Sequence, residues 1–521
     1  MHIAMLAAEN DLLPGGKVGG IGDVMRDVPA ALAASGHKVT VLMPSYGVFH
    51  TLPSATKITL LPVPFAGETE SVEVYSLFEG KYQGVAIRIL EHPLFSICGT
   101  GQIYCNDPSD APFASDAEKF ALFCRAGAEL LSSALVPDID AIHLHDWHTA
   151  LVAVLREYDD RYATLKNKRL VYSVHNLAIQ GIRPIAGNVS SLQSWYPDVQ
   201  IDETAVADPR WPTCINPMAA AIRLSDAVHT VSPSYAEEVL KPSDVAETGF
   251  YGGEGLHQDL QIANSQSRLH GILNGCDYDV PKVAPLSWNE LVQLMGSSIQ
   301  TWIAGSEFLL ASDYLADGRV REWQNLSPPK HLITSIGRLT EQKARLFAYT
   351  DDKGESTLDR VLQTLGKRGV FILIGSGDPD YERFFSRATI RHPNFLFLNH
   401  YADQVANQLY ASGDLFLMPS SFEPCGISQM LAMRAGQPCL VHAVGGLGDT
   451  VNDMSDGFSF SGNSVKTQCD AFVEKFATAL KLREQDSRQW QSICQNAAQA
   501  RFLWQHSVED YVGRLYQSAA D

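Results

Sequence analysis

Six short segments of the sequence place glycines, cations, carboxylates and amides directly after apolar runs, where they can act on a ligand instead of filling a core. In Lys17-Val18-Gly19-Gly20-Ile21-Gly22-Asp23 the glycines let backbone approach a ligand closely. The start of the following helix carries partial positive charge, and Lys17 adds a full one. That suits a phosphate or pyrophosphate, although the spacing matches neither the Walker pattern nor the dinucleotide fingerprint, and a purely structural turn is the competing reading. Arg338 and Lys343 stand five residues apart in Gly337-Arg338-Leu339-Thr340-Glu341-Gln342-Lys343. Two such cations would neutralise a diphosphate leaving group, whose oxygens gain charge as the bond breaks; solvated surface charge is the alternative. In Ser420–Ser428 the Gly426 and Ile427 amides and the Ser428 hydroxyl form a phosphate cradle at a helix start, preceded by the acid Glu423, whose bland role is a first-turn carboxylate. Gly445-Gly446-Leu447-Gly448-Asp449-Thr450 is a further glycine-rich turn.

Two segments carry histidines instead. His143, His145 and His148 surround Asp146 and Trp147, and three histidines invite a zinc reading. No matching Cys or His cluster appears elsewhere, so Asp146 and Trp147 are expected to face a crevice with the histidines packing or capping around them. His175 and Asn176 end another apolar run, where an imidazole and an amide suit sugar hydroxyls or, equally, a satisfied structural histidine.

The elements that must position these groups alternate strand and helix. His2–Ala8, a helical Ile21–Ser35 and Lys38–Met43 form one such unit, and the alternation continues through Ala141–Leu144, Arg169–Val174 and Ala227–Val231. After Asn274 the pattern is irregular through Asp277–Pro329. A second set of strand-like runs then begins at Leu332–Ile336, and from about Asp470 the chain reads as helical. Doubly wound parallel α/β is the economical fold, and ligands in such folds bind beyond the carboxyl ends of the strands. An active site between two α/β domains is expected.

Composition narrows the function. With 521 residues, 45% hydrophobic and 19% charged, the chain is globular and long enough for two or three domains. Its formal charge of −19 argues against nucleic acid or an anionic membrane as partner. Nine scattered cysteines, an odd number, read as reduced thiols. The beginning lacks a basic, then apolar, leader and no run is long enough to span a bilayer, so a cytoplasmic location is expected.

Taken together, KVGGIGDV, HLHDWHTA, VHNLAIQG, NGCDYDV, GRLTEQK, FEPCGISQ and GGLGDT, in this order, resemble the ADP-glucose-dependent glycogen synthases of bacteria and the starch synthases of plants. The resemblance implies a GT-B glycosyltransferase of two Rossmann-like domains with the active site in the cleft between them. It implies 1–275 as the acceptor-side domain, 276–505 as the nucleotide-sugar domain and 506–521 as a helix packing back on the first. The implied reaction is retaining transfer of glucose from ADP-glucose to the non-reducing end of an α-1,4-glucan, with no cofactor and no metal; in a plant or alga the location would be the plastid stroma. Lys17, Arg338 and Lys343 would hold the diphosphate, and His175, Asp146, Asn176, Glu423, Cys425 and Gly426 would surround the donor glucose. Gly19, Gly20, Asp23, Asn274, Tyr401, Ile427 and Ser428 would hold the nucleotide and its phosphates. The chain departs from the family pattern at Ala219, where a lysine is usual, at Pro281, usually tryptophan, and at Ala344, usually glycine. Those departures keep open a small-molecule acceptor or another nucleotide sugar; an inactive glucan-binding protein is a separate alternative, against which Lys17, Arg338, Lys343 and Glu423 together argue.

Overall fold

A computed structural model describes residues 1–78, 84–306, 310–400 and 402–517. The chain divides into two units: residues 1–243, 252–275 and 503 onward form the first, and 244–251 with 276–502 form the second.

The first unit contains β1 (His2–Leu6), β2 (Lys38–Pro44), β3 (Thr56–Phe65), β4 (Glu68–Leu77), β5 (Val85–Glu91), β6 (Ala141–His145) and β7 (Arg169–Val174). The two-residue pair β8 (Arg183–Pro184) and β9 (Cys214–Ile215) comes next, then β10 (Ala227–Thr230) and β11 (Leu269–Gly271). Apart from β8 and β9 these strands share one sheet, ordered β11-β10-β7-β6-β1-β2-β5-β4-β3. Pairing is parallel except where β4 meets β3 and β5. β1, β6 and β7 are buried along nearly their whole length, as central parallel strands covered by helices on both faces must be, although β6 and β7 carry the polar His143, His145 and Ser173. The strand order reverses at β1 and β6, so the loops leaving these two strands open a crevice within this unit.

The second unit repeats the plan with β12 (His331–Ile336), β13 (Gly369–Ile374), β14 (Phe395–Leu398), β15 (Leu415–Met418), β16 (Cys439–His442) and β17 (Phe458–Phe460). Its order is β14-β13-β12-β15-β16-β17, all parallel. Here the reversal falls between β12 and β15, the strands that lead into the Arg338 and Glu423 segments.

Several expectations are corrected. The stretch 277–329 is not irregular: it holds helices Trp288–Gly305 and Ala311–Trp323. Ser287 and Glu290 form a capping box, and Trp288, Leu291, Val292, Met295 and Ile299 make a buried stripe at helical spacing. The last segment joins the first unit from residue 503, not 506, and 244–251 belongs to the second unit. Gly445–Thr450 is a short helix instead of a turn. Cys98 and Cys105 are joined in a disulfide with Cα atoms 5.3 Å apart, because a turn through Gly99 and Gly101, both at positive φ, folds the chain back. The seven remaining cysteines stand outside any disulfide. Among the described residues no helix is long and apolar enough to cross a membrane.

Candidate functional site

In the first unit the glycine loop leaves β1 and is held by a residue that sequence reading passed over. Glu9, buried, accepts the Val18 N–H at 2.8 Å and the Gly19 N–H at 2.5 Å on one oxygen, and the Tyr104 hydroxyl at 2.6 Å on the other. The Gly19 amide is thus committed to a carboxylate of the chain itself. Lys17 is held too: its Nζ lies 2.6 Å from Asp23 and 3.3 Å from Asp11, and Arg26 pairs with both acids. Burial pushes the Asp23 carboxyl up, and Lys17 opposes that shift. Gly22 makes room for the Lys17 stem, since a Cβ there would sit 2.9 Å from Lys17 Cγ; at Gly20 a Cβ would meet nothing within 4 Å.

At the end of β6, Asp146 takes φ +54°, ψ −173°, a conformation costing a non-glycine residue about 1–3 kcal/mol and typical of functional positions. Its buried Oδ1 accepts the His175 N–H at 2.7 Å. Burial raises its carboxyl to about 8, against the lowering effect of the His175 and Asn176 amides. Asp146, His175 and Asn176 are therefore one cluster. The His175 ring lies 2.9 Å from His145 Nδ1 and is kept neutral by burial, while Asn176 Oδ1 accepts the Ala178 N–H. Trp147 does not face a crevice: it is buried against Phe120 and His148, and a Cβ on Gly181 would lie 2.2 Å from its ring.

The histidines form packing and hydrogen-bond groups. His229 Nε2 lies 3.3 Å from the Ile272 carbonyl, which can only accept, so its neutral ring keeps Nδ1 as acceptor. Ser173 then donates to His229 at 2.7 Å, His143 Nε2–H donates to Ser173 at 2.6 Å, and the Tyr516 hydroxyl donates to His143 Nδ1 at 2.8 Å. One direction runs through the whole chain of bonds, from the last segment of the polypeptide to the residue two before Asn274. Asn274 is itself buried, with Oδ1 unpartnered among the described residues. Ala219 is fully buried and its N–H donates to the cap Asn216 Oδ1 at 3.1 Å, while the Asn216 amide donates to Gln180 and Asp208.

In the second unit Lys343 Nζ lies 2.9 Å from Glu423 Oε2, and Ser420 donates to the same oxygen at 3.0 Å. Arg338 is exposed and forms no ion pair among the described residues, and it lines one cavity with Lys343 and Ser420. The Glu423 and Gly445 segments lock together: Gly446 N–H donates to the Glu423 carbonyl at 3.0 Å, and a Cβ on Gly446 would lie 2.3 Å from Cys425 O. Gly446 is thus a close-packing residue. Gly426 has φ +79°, and the helix that Ser428 opens has no side-chain cap, so its first amides are available to an anion. His442, missed in the sequence, donates Nδ1–H to the Ser420 carbonyl at 3.0 Å and is held neutral by burial, near 4. Tyr401 lies outside the described residues.

Residues 2–262 match the starch synthase catalytic domain, and 330–481 match the glycosyl transferases group 1. The chain belongs to the glycogen and starch synthase family. Within this family it is 32% identical to a glycogen synthase of Streptococcus sanguinis, over 99% of this chain and all of the relative. The catalytic domain of starch synthase IV from Arabidopsis thaliana, solved bound to ADP and acarbose, matches with TM-score 0.74 at 27% identity, covering 99% of this chain and 98% of that one. A sucrose-phosphate synthase of Thermosynechococcus elongatus shares the fold alone, at 16% identity and TM-score 0.55 over 99% and 98%. The synthase fold here is GT-B, two Rossmann-like units.

Proposed function

We propose that this family member transfers glucose from ADP-glucose to the non-reducing end of an α-1,4-glucan with retention of configuration, without a metal or cofactor. The observation that carries the reading is the Lys343–Glu423 pair at 2.9 Å beside exposed Arg338, on the two strands where the second sheet reverses. The ADP and acarbose bound to the starch synthase IV neighbour support it.

The residues then divide by charge. As ADP departs, negative charge grows on its phosphate oxygens and positive charge on the sugar ring. Arg338, Lys343 and Lys17 stabilise the first, and the uncapped amides from Gly426 to Ser428 add to them. Glu423, the His175 carbonyl and the Asp146 cluster face the second, and Asn274 and Asp23 hold the nucleoside side. The departing phosphate oxygen takes the proton of the acceptor hydroxyl as that oxygen attacks the anomeric carbon, so the atoms balance without a separate protein base. Lys343 is already oriented by Glu423, which spares part of the ordering cost on binding.

The test is ADP release from the purified chain given ADP-glucose, with and without glycogen or malto-oligosaccharide, and with UDP-glucose as control donor. Glucan-dependent release preferring ADP-glucose is expected. Release without glucan would move the acceptor to a small molecule, the reading that buried Ala219 in place of a lysine favours, and no release with any donor would end the transferase reading.

A further inference from the structure

We propose that Cys98 and Cys105 form a redox-active disulfide that sets how firmly the glycine loop of the first unit is held. Both residues are half-buried and flank a turn closed by Gln102 N–H on Gly99 O at 3.1 Å. Their Cα separation of 5.3 Å lies inside the span of a disulfide. The other seven cysteines stand outside any disulfide, so the bond belongs to no framework. An isolated, accessible disulfide is of the kind that reductants reach.

A buried cation prepares one sulfur. Lys119 Nζ, fully enclosed, lies 3.8 Å from Cys105 Sγ and donates to Asp116 and to the Ile103 carbonyl, both at 2.6 Å. A cation there stabilises a thiolate and makes Cys105 the better leaving group. In the reduction, a thiolate of a dithiol reductant attacks Cys98 Sγ and the S–S electron pair departs on Cys105. The reductant's second thiolate then attacks the mixed disulfide and frees Cys98. The dithiol loses two electrons to become a disulfide; one of its two protons ends on Cys98 and the other passes to solvent, leaving Cys105 as a thiolate beside Lys119.

Tyr104 connects this bond to the loop. It stands next to Cys105, and its hydroxyl grips Glu9, whose other oxygen holds the Val18 and Gly19 amides. The Tyr104 main chain is fixed on one side by Ile103 on Lys119 and on the other by Cys105, whose N–H donates to Asp116 at 3.1 Å. A freed Cys105 thiolate competes with Asp116 and Ile103 for the one ammonium. Reduction therefore loosens Tyr104, then Glu9, then the loop. The effect on turnover rests on the donor role proposed above for that loop; the effect on the loop does not.

The full chain is compared air-oxidised and after dithiothreitol, by mass of the peptide carrying both cysteines and by hydrogen exchange of the Val18 and Gly19 amides. The oxidised peptide should be two hydrogens lighter, and the two amides should exchange about tenfold faster after reduction. Cys98→Ser/Cys105→Ser should exchange fast in both conditions, and Tyr104→Phe should do so with the disulfide intact, which keeps the test decisive if the double variant folds poorly. In an active preparation the KM for ADP-glucose should rise several-fold on reduction and stay unresponsive in the double variant. Free thiols in the air-oxidised chain, or equal exchange in the two states, would overturn the proposal. So would zinc retained stoichiometrically by the reduced protein, because Cys98, Cys105 and Asp116 offer ligand atoms within 4.8 Å of one another. Should no donor turn over, the transferase reading fails while mass and exchange still decide this one.

Discussion

In the first unit the glycine loop is closed on groups of its own, with Glu9 taking the Val18 and Gly19 amides and Asp11 and Asp23 taking Lys17. In the second unit Arg338 stands exposed, and the helix from Ser428 begins without a side-chain cap. On the proposed reading, an incoming diphosphate would meet the unpaired Arg338 in the second unit, whereas in the first it would have to displace carboxylates that already neutralise the lysine. Removing Arg338, which has no carboxylate partner among the described residues, should then cost its full contribution, unlike Lys343, which Glu423 already pairs. In the first unit, loss of Lys17 is partly offset by the release of Asp23.

The largest expected effect tests that contrast directly. Arg338→Ala should lower kcat/KM for ADP-glucose by roughly 10²–10³-fold with little change in thermal midpoint, and Lys17→Ala should lose distinctly less; equal losses would erase the distinction between the units. Next, Glu9→Gln leaves the loop amides facing a weaker, partly mismatched partner. We expect about 1–3 kcal/mol lost in urea unfolding together with a raised KM, and an unchanged protein would show that the loop is held by other groups. Third comes pH. Asp146 in the folded protein titrates near 8 against an ordinary 3.8, so between these values the folded state keeps a proton that the unfolded state has released. Stability therefore falls as pH rises through that window, and Asp146→Asn should flatten the profile between pH 5 and 8.5. The smallest effect is that of Tyr516→Phe, which removes the donor to His143 and should cost about 1 kcal/mol while leaving turnover nearly intact.

The segments at the sheet reversals were legible because their groups leave strands directly. The apolar runs ending at Ile336 and Met418 mark β12 and β15, and a loop leaving a strand at a sheet reversal points to the ligand side. Asp146, His175 and Asn176 likewise follow strands, and the structure brings them into one cluster. Glu9 was not legible, because a lone acid after an apolar run has no periodicity, and only tertiary contact shows that it holds the Val18 and Gly19 amides and Tyr104. Trp147 was misjudged because an aromatic beside a functional acid reads alike whether it faces ligand or core; the contact with Gly181 decides. The helix beginning at Trp288 was readable from its capping box and 3–4 spacing, whereas the Cys98–Cys105 pairing depends on a glycine turn that cysteine counting ignores.

The directional bonds that end at Tyr516 also bear on how the protein is made. The sheet of the first unit is assembled from residues 1–275, but its buried histidines find their last donor only in the segment that begins at residue 503. At a synthesis rate of about 5–20 residues per second, that donor emerges roughly 12–50 s after the rest of the sheet. During that interval the nascent first unit carries an open seam along β6, β7 and β10, and the second unit is synthesised in full before the first can close.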